Sequence, residues 1–389
     1  MCGCPIVTNG KPYFLFCAGE DSGDNIGESL VRSALSLVGE RFFLVGAGGP
    51  KMERAGLIPL VNYEELPVSG FGDVVPRYFL LRRSLKKLLK ALENPLCKGL
   101  VAIDYPGFNM KLVALANRHE KPVLYVAPPQ AWAWKPRRAQ GLNHPKNTLA
   151  LFFDFEKAPY EKVGCNVQQM QHPVAAGMEY VRQRGIAKKG TSAERILLFP
   201  GSRKSQALRN LPVFLELTEG FRSLSKIVVV VPRQELQKQM VQKLNQLFKG
   251  KMPSNLSVEL APSLIEDRLV YYGEAGLALS APGTVTLELA LAGCNAVVCS
   301  KPDFLTYVVG KSLIKTPWFS LPNLILGKSL FPEFIRDGIS RKTRTQITQK
   351  LSELFEKKLP DEDIQCLSKK LVQGKTSEQL MSEFLAQFL

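Results

Sequence analysis

The sequence predicts an α/β protein of two domains, each built on a parallel sheet covered by helices, followed by a helical tail. Two observations predict this fold class. Short apolar runs alternate with amphipathic segments of helical periodicity, which is typical of parallel sheets. The pattern stops at the polar stretch 182–194 and then restarts, and beyond about residue 340 only helical periodicity remains.

The strands follow in order along the chain. In the first domain, placed at 1–180, strands are predicted at 13–18, 41–46, 99–104, 122–127 and 148–153. In the second domain, placed at 190–340, they are predicted at 195–200, 226–232, 255–260, 276–280 and 295–300. The tail, 341–389, is predicted to be helical, and it either packs back on the first domain or is exchanged with a partner in a homodimer.

The composition is that of an ordinary globular chain with a strong basic bias. Of its 389 residues 45% are hydrophobic, and the formal net charge is +16 with a pI of about 9.5. This charge favours phosphorylated substrates, anionic membrane surfaces or polyanions, without distinguishing among them. Most of the eight cysteines lie in apolar runs, so we expect a reducing, cytoplasmic setting. We also expect no signal peptide, no membrane-spanning helix, no cofactor and no metal, since the three histidines lack metal-pair spacing.

The first predicted strand leads into "AGEDSGD" at 18–24, where acids stand in the place of a phosphate cradle. A strand, a glycine turn and a helix begin many nucleotide-binding domains. Here the glycine fingerprint of a dinucleotide site and the Lys-Ser/Thr of a P-loop are both missing from the sequence of the loop. A helix is predicted to start at once, with Asp24 as its N-cap.

Ligands of open parallel sheets bind where the strands end, so the residues after each strand are the candidates for chemistry. Asp104 ends the strand 99–104, and it is either a general base or a turn and helix cap. Gly201, Ser202 and Arg203 lead from the strand 195–200 into a helix. They suit either an anion site or a capped helix with a solvated arginine.

The loop after strand 276–280 carries Gly283 and Thr284, and the helix that follows places Glu288 among leucines. A carboxylate there can accept two sugar hydroxyls, or it can complement the helix dipole. Together with the candidate anion site at Arg203, this loop suggests a nucleoside diphosphate. Ser320 and Asn323 lie in "SLPN", which on its own indicates only a loop.

Segment 77–92 predicts an amphipathic helix with a leucine stripe and a basic face. The cations off the stripe are Arg82, Arg83, Lys86, Lys87 and Lys90. This face is either solvated or lies at an anionic membrane surface, with apolar residues of 66–76 dipping into lipid. A second basic stretch, 125–138, interleaves Trp132 and Trp134 with cations. That pattern can indicate nucleic acid, but we favour an interdomain packing surface and expect no nucleic-acid partner.

A set of motifs in this order makes the sequence resemble the lipid-A-disaccharide synthase family, membrane-peripheral glycosyltransferases of the GT-B architecture. They run from about residue 14 to 335 and are "AGEDSGD" (18–24), "GAGGPKMERAGL" (46–57), "GFGDVV" (70–75), "DYPGFN" (104–109), "YVAPPQAWAWKPRR" (125–138), "HP" (172–173), "FPGSRKSQ" (199–206), "GTVTLE" (283–288) and "SLPNLILG" (320–327). Each motif is weak singly, and their order and spacing together are specific.

The resemblance implies two Rossmann-like domains facing each other across a cleft. It implies Asp104 as the catalytic base, with Glu20, Ser22 and Asn109 on the acceptor side. The residues implied for UDP-sugar binding are Gly201, Ser202, Arg203, Gly283, Thr284, Glu288, Ser320 and Asn323. The sequence departs from the family pattern at Gly107, at Gln171 before His172, and at Pro282, which affects acyl preference and loop shape more than reaction type.

The expected reaction is inverting and metal-independent. It joins UDP-2,3-diacylglucosamine to 2,3-diacylglucosamine 1-phosphate, giving a β-1,6-linked disaccharide and UDP, at the cytoplasmic face of the inner membrane. Two alternatives stay open from the residues: another UDP-sugar enzyme of this fold, such as a lipid glycosyltransferase or an epimerase, and a non-catalytic protein that binds membranes or polyanions. Acyl chain lengths and ester or amide linkage are not encoded in any motif.

Overall fold

The computed structural model describes most of the chain and defines the placement of the candidate residues. It covers residues 10–66, 70–133, 136–175, 177–178, 192–221, 226–301, 317–335, 339–355 and 357–389, with the backbone alone at 70–78 and 192–194. The polar stretch that separates the two strand patterns, and the side chains of the apolar segment before the basic helix, lie largely outside these residues.

The chain forms two compact units. The first comprises 1–68, 74–173 and 372–389, and the second comprises 174–371 with the short stretch 69–73. Each unit contains one parallel sheet, as the alternation of apolar runs and amphipathic segments predicted. The last residues of the chain therefore belong to the same unit as the first.

The first sheet has seven strands in the order β3-β2-β1-β4-β5-β6-β7. Its strands are β1 (Tyr13–Ala18), β2 (Phe43–Ala47), β3 (Ile58–Pro59), β4 (Cys97–Ile103), β5 (Val123–Val126), β6 (Asn147–Leu151) and β7 (Val167–Gln169). All pairings in it are parallel, and β1 is fully buried between β2 and β4. Continuous apolar runs such as β1 are the expected composition of strands that helices cover on both faces.

The second sheet has six strands in the order β10-β9-β8-β11-β12-β13. They are β8 (Ser192–Phe199), β9 (Lys226–Val231), β10 (Leu256–Leu260), β11 (Ala275–Ser280), β12 (Ala296–Cys299) and β13 (Glu333–Phe334). Every strand predicted from the sequence has a counterpart. The strands that were not predicted, β3, β7 and β13, span two or three residues each, too few for a periodic pattern.

Helices connect the strands and cover the sheets. They are α1 (Asp21–Val38), α2 (Pro50–Arg54), α3 (Gly70–Glu93), α4 (Pro106–Arg118), α5 (Ala158–Glu161), α6 (Lys204–Leu217), α7 (Gln234–Leu247), α8 (Ile265–Gly273), α9 (Val285–Leu291), α10 (Leu321–Leu326), α11 (Arg341–Leu354), α12 (Asp361–Leu371) and α13 (Ser377–Leu385). Within the described part of the chain, no helix combines the length and apolar character needed to span a membrane.

The C-terminal segment is tied to the first sheet and to α1. The backbone of Lys375 pairs beside Met170, just after β7. Helix α13 packs on α1, and Phe384 and Phe388 lie 6.0 and 5.1 Å from the ring of Phe14 in β1. Packing of these aromatic rings ties the C-terminal segment to β1.

Candidate active site

The first sheet reverses its strand order between β1 and β4, and the loops that follow these two strands bring Ser22 and Asp104 together. Ser22 lies in the first turn of α1, and Asp104 directly follows β4. The Ser22 hydroxyl donates a hydrogen bond to Oδ2 of Asp104 at 3.0 Å. Both side chains are partly exposed. Because ligands of open α/β sheets bind where the strand order reverses, this pair is the leading candidate for the reacting centre.

The backbone of Asp104 is held in a strained conformation. The φ angle is +48° at Asp104 and +50° at Tyr105, a left-handed region that costs non-glycine residues on the order of 1–3 kcal/mol each. The Asp104 carbonyl accepts hydrogen bonds from Nδ2 of Asn109 at 2.8 Å and from the hydroxyl of Tyr125 at 3.0 Å. Its N–H donates to the carbonyl of Val126 at 2.9 Å. These bonds fix the turn from which the carboxylate projects.

Asn109, predicted on the acceptor side, is fully buried. Besides the Asp104 carbonyl, its amide donates to the carbonyls of Cys17 at 3.1 Å and Ile103 at 3.2 Å. It therefore joins the ends of β1 and β4 to the start of α4. This placement gives Asn109 a positioning role and leaves it no surface for direct substrate contact.

Glycine at position 19 is required by the close approach of Tyr105. A Cβ on Gly19 would lie 2.3 Å from the Tyr105 ring, inside any permissible contact distance. The Tyr105 hydroxyl donates to the carbonyl of Leu66 at 2.7 Å, which fixes the ring over the loop. Glu20, the next predicted acceptor-side residue, is the N-cap of α1 and its side chain is partly exposed.

The sequence predicted Asp24 as the N-cap of α1, and this prediction is wrong, because the helix already begins at Asp21. Instead, its buried carboxylate accepts hydrogen bonds from the backbone N–H groups of Lys51 at 3.1 Å and Met52 at 3.0 Å. Burial raises its pKa, and these two bonds oppose the rise. A Cβ on Gly49 would lie 2.5 Å from this carboxylate. An acid of the chain itself thus occupies the glycine-rich turn between β2 and α2.

A row of aromatic rings follows β6 and β7 and lies beside two titratable groups, the buried His172 and the partly buried Glu156. His172 lies 4.7 Å from the Phe152 ring and stacks on Phe153 at 5.9 Å. Burial lowers the pKa of His172 to about 4, so the ring is neutral at pH 7. Glu156 accepts hydrogen bonds from the backbone N–H groups of Phe152 and Phe153, at 3.0 and 3.1 Å. Burial raises the pKa of Glu156 to about 7 despite these bonds and a contact with the indole of Trp132.

The second sheet reverses its order between β8 and β11, and both loops there carry predicted residues. Gly201 adopts a φ of +126°, and a Cβ on it would lie 2.5 Å from the Gln206 side chain. Ser202 is exposed, and Arg203 is the half-buried N-cap of α6. The N–H of Ala281 donates to the carbonyl of Phe199 at 2.8 Å, which joins the two strand ends.

The loop after β11 presents the other predicted donor-side residues. Gly283 is exposed, and a Cβ on it would meet nothing within 4 Å. Thr284 is the N-cap residue of α9, and Pro282 beside them is partly exposed. The structure therefore places both loops at the carboxyl edge of the sheet, where the strand order reverses. In the first unit, Gly107 is likewise exposed, and a Cβ on it would meet nothing within 4 Å.

Glu288 is buried and paired with Arg268 of α8. Nε of Arg268 lies 3.0 Å from Oε2 of Glu288, and Nη2 lies 3.2 Å from Oε1, a bidentate pair. Burial, the largest single effect, lowers the pKa of Arg268. The charge and hydrogen bonds of Glu288 act in the opposite direction, and with the other nearby acidic groups they leave this pKa raised overall. Sequence reasoning missed Arg268. Its signal was a cation on the apolar face of a helix, beside Leu269 and one turn before Tyr272.

Ser320 and Asn323 are fully buried and bind Glu333, a second residue that sequence reasoning missed. The Ser320 hydroxyl lies 2.6 Å from Oε1 of Glu333, and Nδ2 of Asn323 lies 2.8 Å from the same oxygen. Oδ1 of Asn323 accepts the N–H groups of Leu330 and Phe331, at 2.8 and 2.9 Å. These bonds hold the loop around α10 together. Because neither side chain is exposed, direct ligand contact by Ser320 and Asn323 stays a prediction.

The basic face of α3 is fully presented to solvent. The exposed cations are Arg82, Arg83, Lys86, Lys87 and Lys90. Leu88 and Leu92 are buried on the opposite side, with Ser84 donating to Glu65 at 3.2 Å. Phe79, one turn earlier, is 79% exposed. The helix thus combines a packed stripe, a cationic face and an exposed aromatic ring.

The second basic stretch is partly described. The Trp132 ring packs edge-on against Phe155 at 4.9 Å, within the aromatic row of the first unit. Trp134 and Lys135 lie outside the described residues. Within the portions of the chain that are described, no three side chains among His, Cys, Asp and Glu gather as metal ligands would.

Comparison with known proteins identifies the family of the chain. A profile of the family described as lipid-A-disaccharide synthetase matches residues 14–388. The chain is 33% identical to the lipid-A-disaccharide synthase of Geobacter sulfurreducens over 342 residues, 86% of each chain. It is 31% identical to that of Nitrosococcus oceani over 340 residues, 86% of this chain and 85% of the relative.

Solved structures resemble the fold at low sequence identity. One is the calicheamicin glycosyltransferase CalG4, with a TM-score of 0.50 and 13% identity, covering 97% of this chain and 98% of that chain. Another is S. aureus MnaA with UDP, with a TM-score of 0.54 and 10% identity, covering 96% and 95%.

Two Rossmann-like units, with candidate residues at the strand-order reversal of each, define the GT-B architecture. Within that class, the profile match and the curated relatives place the chain in the lipid-A-disaccharide synthase family, whose members are hexosyltransferases.

Proposed function

We propose that the protein joins UDP-2,3-diacylglucosamine to 2,3-diacylglucosamine 1-phosphate, giving the β-1,6-linked disaccharide 1-phosphate and UDP. The observation that carries this proposal is the Ser22–Asp104 hydrogen bond at the strand-order reversal of a family member. A partly exposed carboxylate on a strained, multiply bonded turn has the placement that a general base needs.

In the proposed reaction Asp104 takes the proton from the acceptor 6-hydroxyl as that oxygen attacks the anomeric carbon of the donor. The new C–O bond forms on the face opposite the departing UDP, and the electrons of the breaking anomeric C–O bond leave with its diphosphate. The configuration at the anomeric carbon is therefore inverted. Ser22 orients the carboxylate, Asn109 and Tyr125 hold the turn, and Glu20 contacts acceptor hydroxyls.

The second unit is proposed to bind the donor. Arg203, with the backbone N–H groups at the start of α6, would stabilise the charge that develops on UDP. Gly201, Ser202, Gly283 and Thr284 would line the diphosphate, and Glu288 the ribose. These groups supply the positive charge without a metal ion, so we propose a metal-independent reaction. Ser320 and Asn323 would act through the loop that they hold.

We further propose that α3 lies on an anionic membrane surface, at the cytoplasmic face of the inner membrane. Both substrates carry acyl chains, and the five exposed cations beside Phe79 provide charge attraction together with an apolar anchor. The first unit then faces the acceptor and the membrane, while the second takes the UDP-sugar. The proposed partners include no nucleic acid, and a homodimer would form by exchange of the tail between two chains.

The test is release of UDP from the diacylated donor with and without the acylated acceptor. The proposal expects UDP and a disaccharide, identified by mass spectrometry, only when both substrates are present. UDP release at the same rate with and without the acceptor would contradict the proposed reaction. Conversion of UDP-N-acetylglucosamine to an epimer would also contradict it.

A further inference from the structure

One buried amide, that of Asn210 in α6, connects two strand ends of the second sheet. Its Nδ2 donates to the carbonyl of Pro200 at 2.7 Å and to the hydroxyl of Ser300 at 3.3 Å. Its Oδ1 accepts from the N–H of Lys301 at 2.8 Å. Pro200 directly follows β8, and Ser300 and Lys301 directly follow β12, with β11 between these two strands in the sheet. Asn210 therefore joins strands that do not pair with each other.

The bond to Pro200 fixes the direction of a backbone donor. The peptide bond between Pro200 and Gly201 is planar and trans, so the N–H of Gly201 points opposite to the carbonyl of Pro200. Because Asn210 holds that carbonyl, the N–H of Gly201 is directed away from Asn210. Within the described ranges of the chain, this N–H donates to no other group. A fixed and partly exposed donor thus stands at the start of the turn 201–203.

The neighbouring residue of α6 strengthens the connection to β12. Nε of Arg209 donates to the carbonyl of Lys301 at 3.3 Å. Lys301 is therefore held through its N–H by Asn210 and through its carbonyl by Arg209. The Asn210 amide cannot rotate without breaking bonds at both strand ends, so the Pro200 carbonyl is held against a rigid support.

Asn109 has a corresponding arrangement in the first unit. It is also fully buried, in the helix that follows β4, and its amide joins the ends of β1 and β4. One of its bonds holds the carbonyl of Asp104 at 2.8 Å. In each unit, a buried asparagine of the following helix thus fixes a carbonyl at the strand end where a candidate site residue stands. This recurrence favours a role in the sites rather than in packing alone.

We propose that Asn210 is a positioning residue that sets the affinity of the second unit for the diphosphate, by holding the Gly201 N–H in the direction from which it donates to a phosphate oxygen. The inference rests on the proposed UDP-sugar site and adds to it a residue that touches no substrate. A donor that is already oriented before binding avoids the loss of backbone freedom that a mobile turn would undergo on binding.

The experiment compares the affinity of the full-length protein for UDP and for uridine, which lacks the diphosphate, by calorimetry. The variants are Asn210→Leu, which has a similar volume, and Asn210→Ala, which leaves room for water. The matched controls are Asn295→Leu and Asn295→Ala. Asn295 is also a buried asparagine of the second unit, and its Nδ2 donates to the carbonyl of Lys357. It directly precedes β12 and so lies at the opposite edge of the sheet. Thermal unfolding of each variant reports on folding.

The expected result is that the ratio of uridine to UDP dissociation constants falls about tenfold in the Asn210 variants, the effect of losing one hydrogen bond to a charged group. Uridine affinity should stay within about twofold of the wild type, and the Asn295 variants should keep the wild-type ratio even where they lose stability. An unchanged ratio in the Asn210 variants, or equal weakening of both ligands, would make Asn210 a structural support only and overturn the inference. Failure of the wild type to bind UDP would instead overturn the proposed donor site itself.

A measurement on the wild type tests the inference even if the Asn210 variants do not fold. Hydrogen exchange of the Gly201 N–H, followed by NMR, should slow by about tenfold or more when UDP is bound and should not change with saturating uridine. Exchange at Gly201 that UDP leaves unchanged, in a protein that binds UDP, would overturn the inference while leaving the donor site in place.

Discussion

The hydroxyl of Ser22 donates to Oδ2 of Asp104 at 3.0 Å, although 82 positions separate the two residues in the chain. Parallel strands explain this proximity. β1 and β4 are neighbours in register from Phe14 with Gly99 to Ala18 with Ile103, so the loops that follow them begin at the same edge. One loop supplies a hydroxyl from a helix start, and the other supplies a carboxylate from a strained turn.

Asp104→Asn should abolish most turnover while leaving UDP affinity nearly unchanged. Asparagine is almost isosteric and keeps the turn contacts of the backbone, but it cannot take up a proton at neutral pH. Loss of a positioned general base typically costs about 10²–10⁴ in rate. Steady-state kinetics and calorimetric UDP titration check both halves. Ser22→Ala removes only the hydrogen bond that orients the carboxylate, so its turnover should fall by less, about tenfold. Near-normal turnover in Asp104→Asn would show that Asp104 is not the base, and Glu20 would be the next candidate.

Tyr125→Phe removes the hydrogen bond that the Tyr125 hydroxyl donates to the Asp104 carbonyl. Because this bond helps to fix the turn that carries the carboxylate, turnover should fall. The cost in stability should be about 1 kcal/mol, the usual net value of one hydrogen bond. Tyr13→Phe is the matched control, because Tyr13 is a buried strand tyrosine of the same sheet whose hydroxyl donates to the Ala91 carbonyl at 2.7 Å. The control should lose similar stability in urea denaturation with no change in kcat. Equal kcat losses in both variants would show that the Tyr125 effect is general destabilisation.

How far the sequence predicts this site depends on the range of the signal. Asp104 and Arg203 stand at strand ends that apolar runs make visible, so both could be placed in advance. Asp24 was predicted to cap its own helix, α1. Its carboxylate instead accepts the N–H groups of Lys51 and Met52 at the start of α2, a contact that a local cap pattern cannot reveal. Tyr125 and Glu333 carry no local signal of their roles, and Arg268 carries only that of a cation on an apolar helix face, since these roles arise from partners elsewhere in the chain.

Arg203→Ala should weaken UDP binding and leave the first unit unaffected. A charge-assisted hydrogen bond contributes roughly 1.5–3 kcal/mol, so affinity should fall by about tenfold to a hundredfold. Calorimetry with UDP and with uridine checks the cause, since uridine lacks the diphosphate and its affinity should not change. Parallel losses for both ligands would assign Arg203 to the nucleoside and contradict the anion role.

Neutralising the basic face of α3 should weaken binding to anionic vesicles. Replacing Arg82, Arg83, Lys86, Lys87 and Lys90 with glutamine removes about 1 kcal/mol per residue near the surface, several kcal/mol together at low salt. Sedimentation with phosphatidylglycerol vesicles measures the change. A control variant loses five exposed cations of the second unit, Lys251, Arg341, Lys342, Lys357 and Lys358. If both variants lose partitioning alike, net charge rather than α3 governs binding.

Adding salt separates the two contributions on α3. Charge attraction is screened within a Debye length of about 8 Å at physiological ionic strength, whereas insertion of Phe79 is not. Phe79→Ser should therefore reduce the binding that persists in high salt, while the charge variant should reduce the binding that salt removes. Partitioning of Phe79→Ser equal to the wild type at every salt concentration would contradict an anchoring role for this ring.

The pH dependence of stability should reveal Glu156 and His172 as opposing groups. Burial raises the pKa of Glu156 from 4.5 to about 7, so its contribution to stability is present below pH 4.5 and is lost as pH rises towards 7. Burial lowers the pKa of His172 from 6.5 to about 4, so its contribution is present above pH 6.5 and is lost as pH falls towards 4. Between pH 4.5 and 6.5 the two slopes have opposite signs and largely cancel.

Glu156→Gln removes the pH dependence of stability that comes from Glu156 and leaves the opposite dependence that comes from His172. Glutamine keeps an oxygen that can accept from the N–H groups of Phe152 and Phe153, but it does not titrate. Relative to the wild type, the free energy of unfolding should then rise with pH across this interval, by up to roughly 3 kcal/mol. Urea denaturation at several pH values between 4.5 and 7.5 measures the slope. His172→Gln should tilt the curve the other way, with stability falling as pH rises. If Glu156→Gln has the same pH profile as the wild type, the Glu156 carboxyl titrates normally, and the aromatic row does not shield it from water.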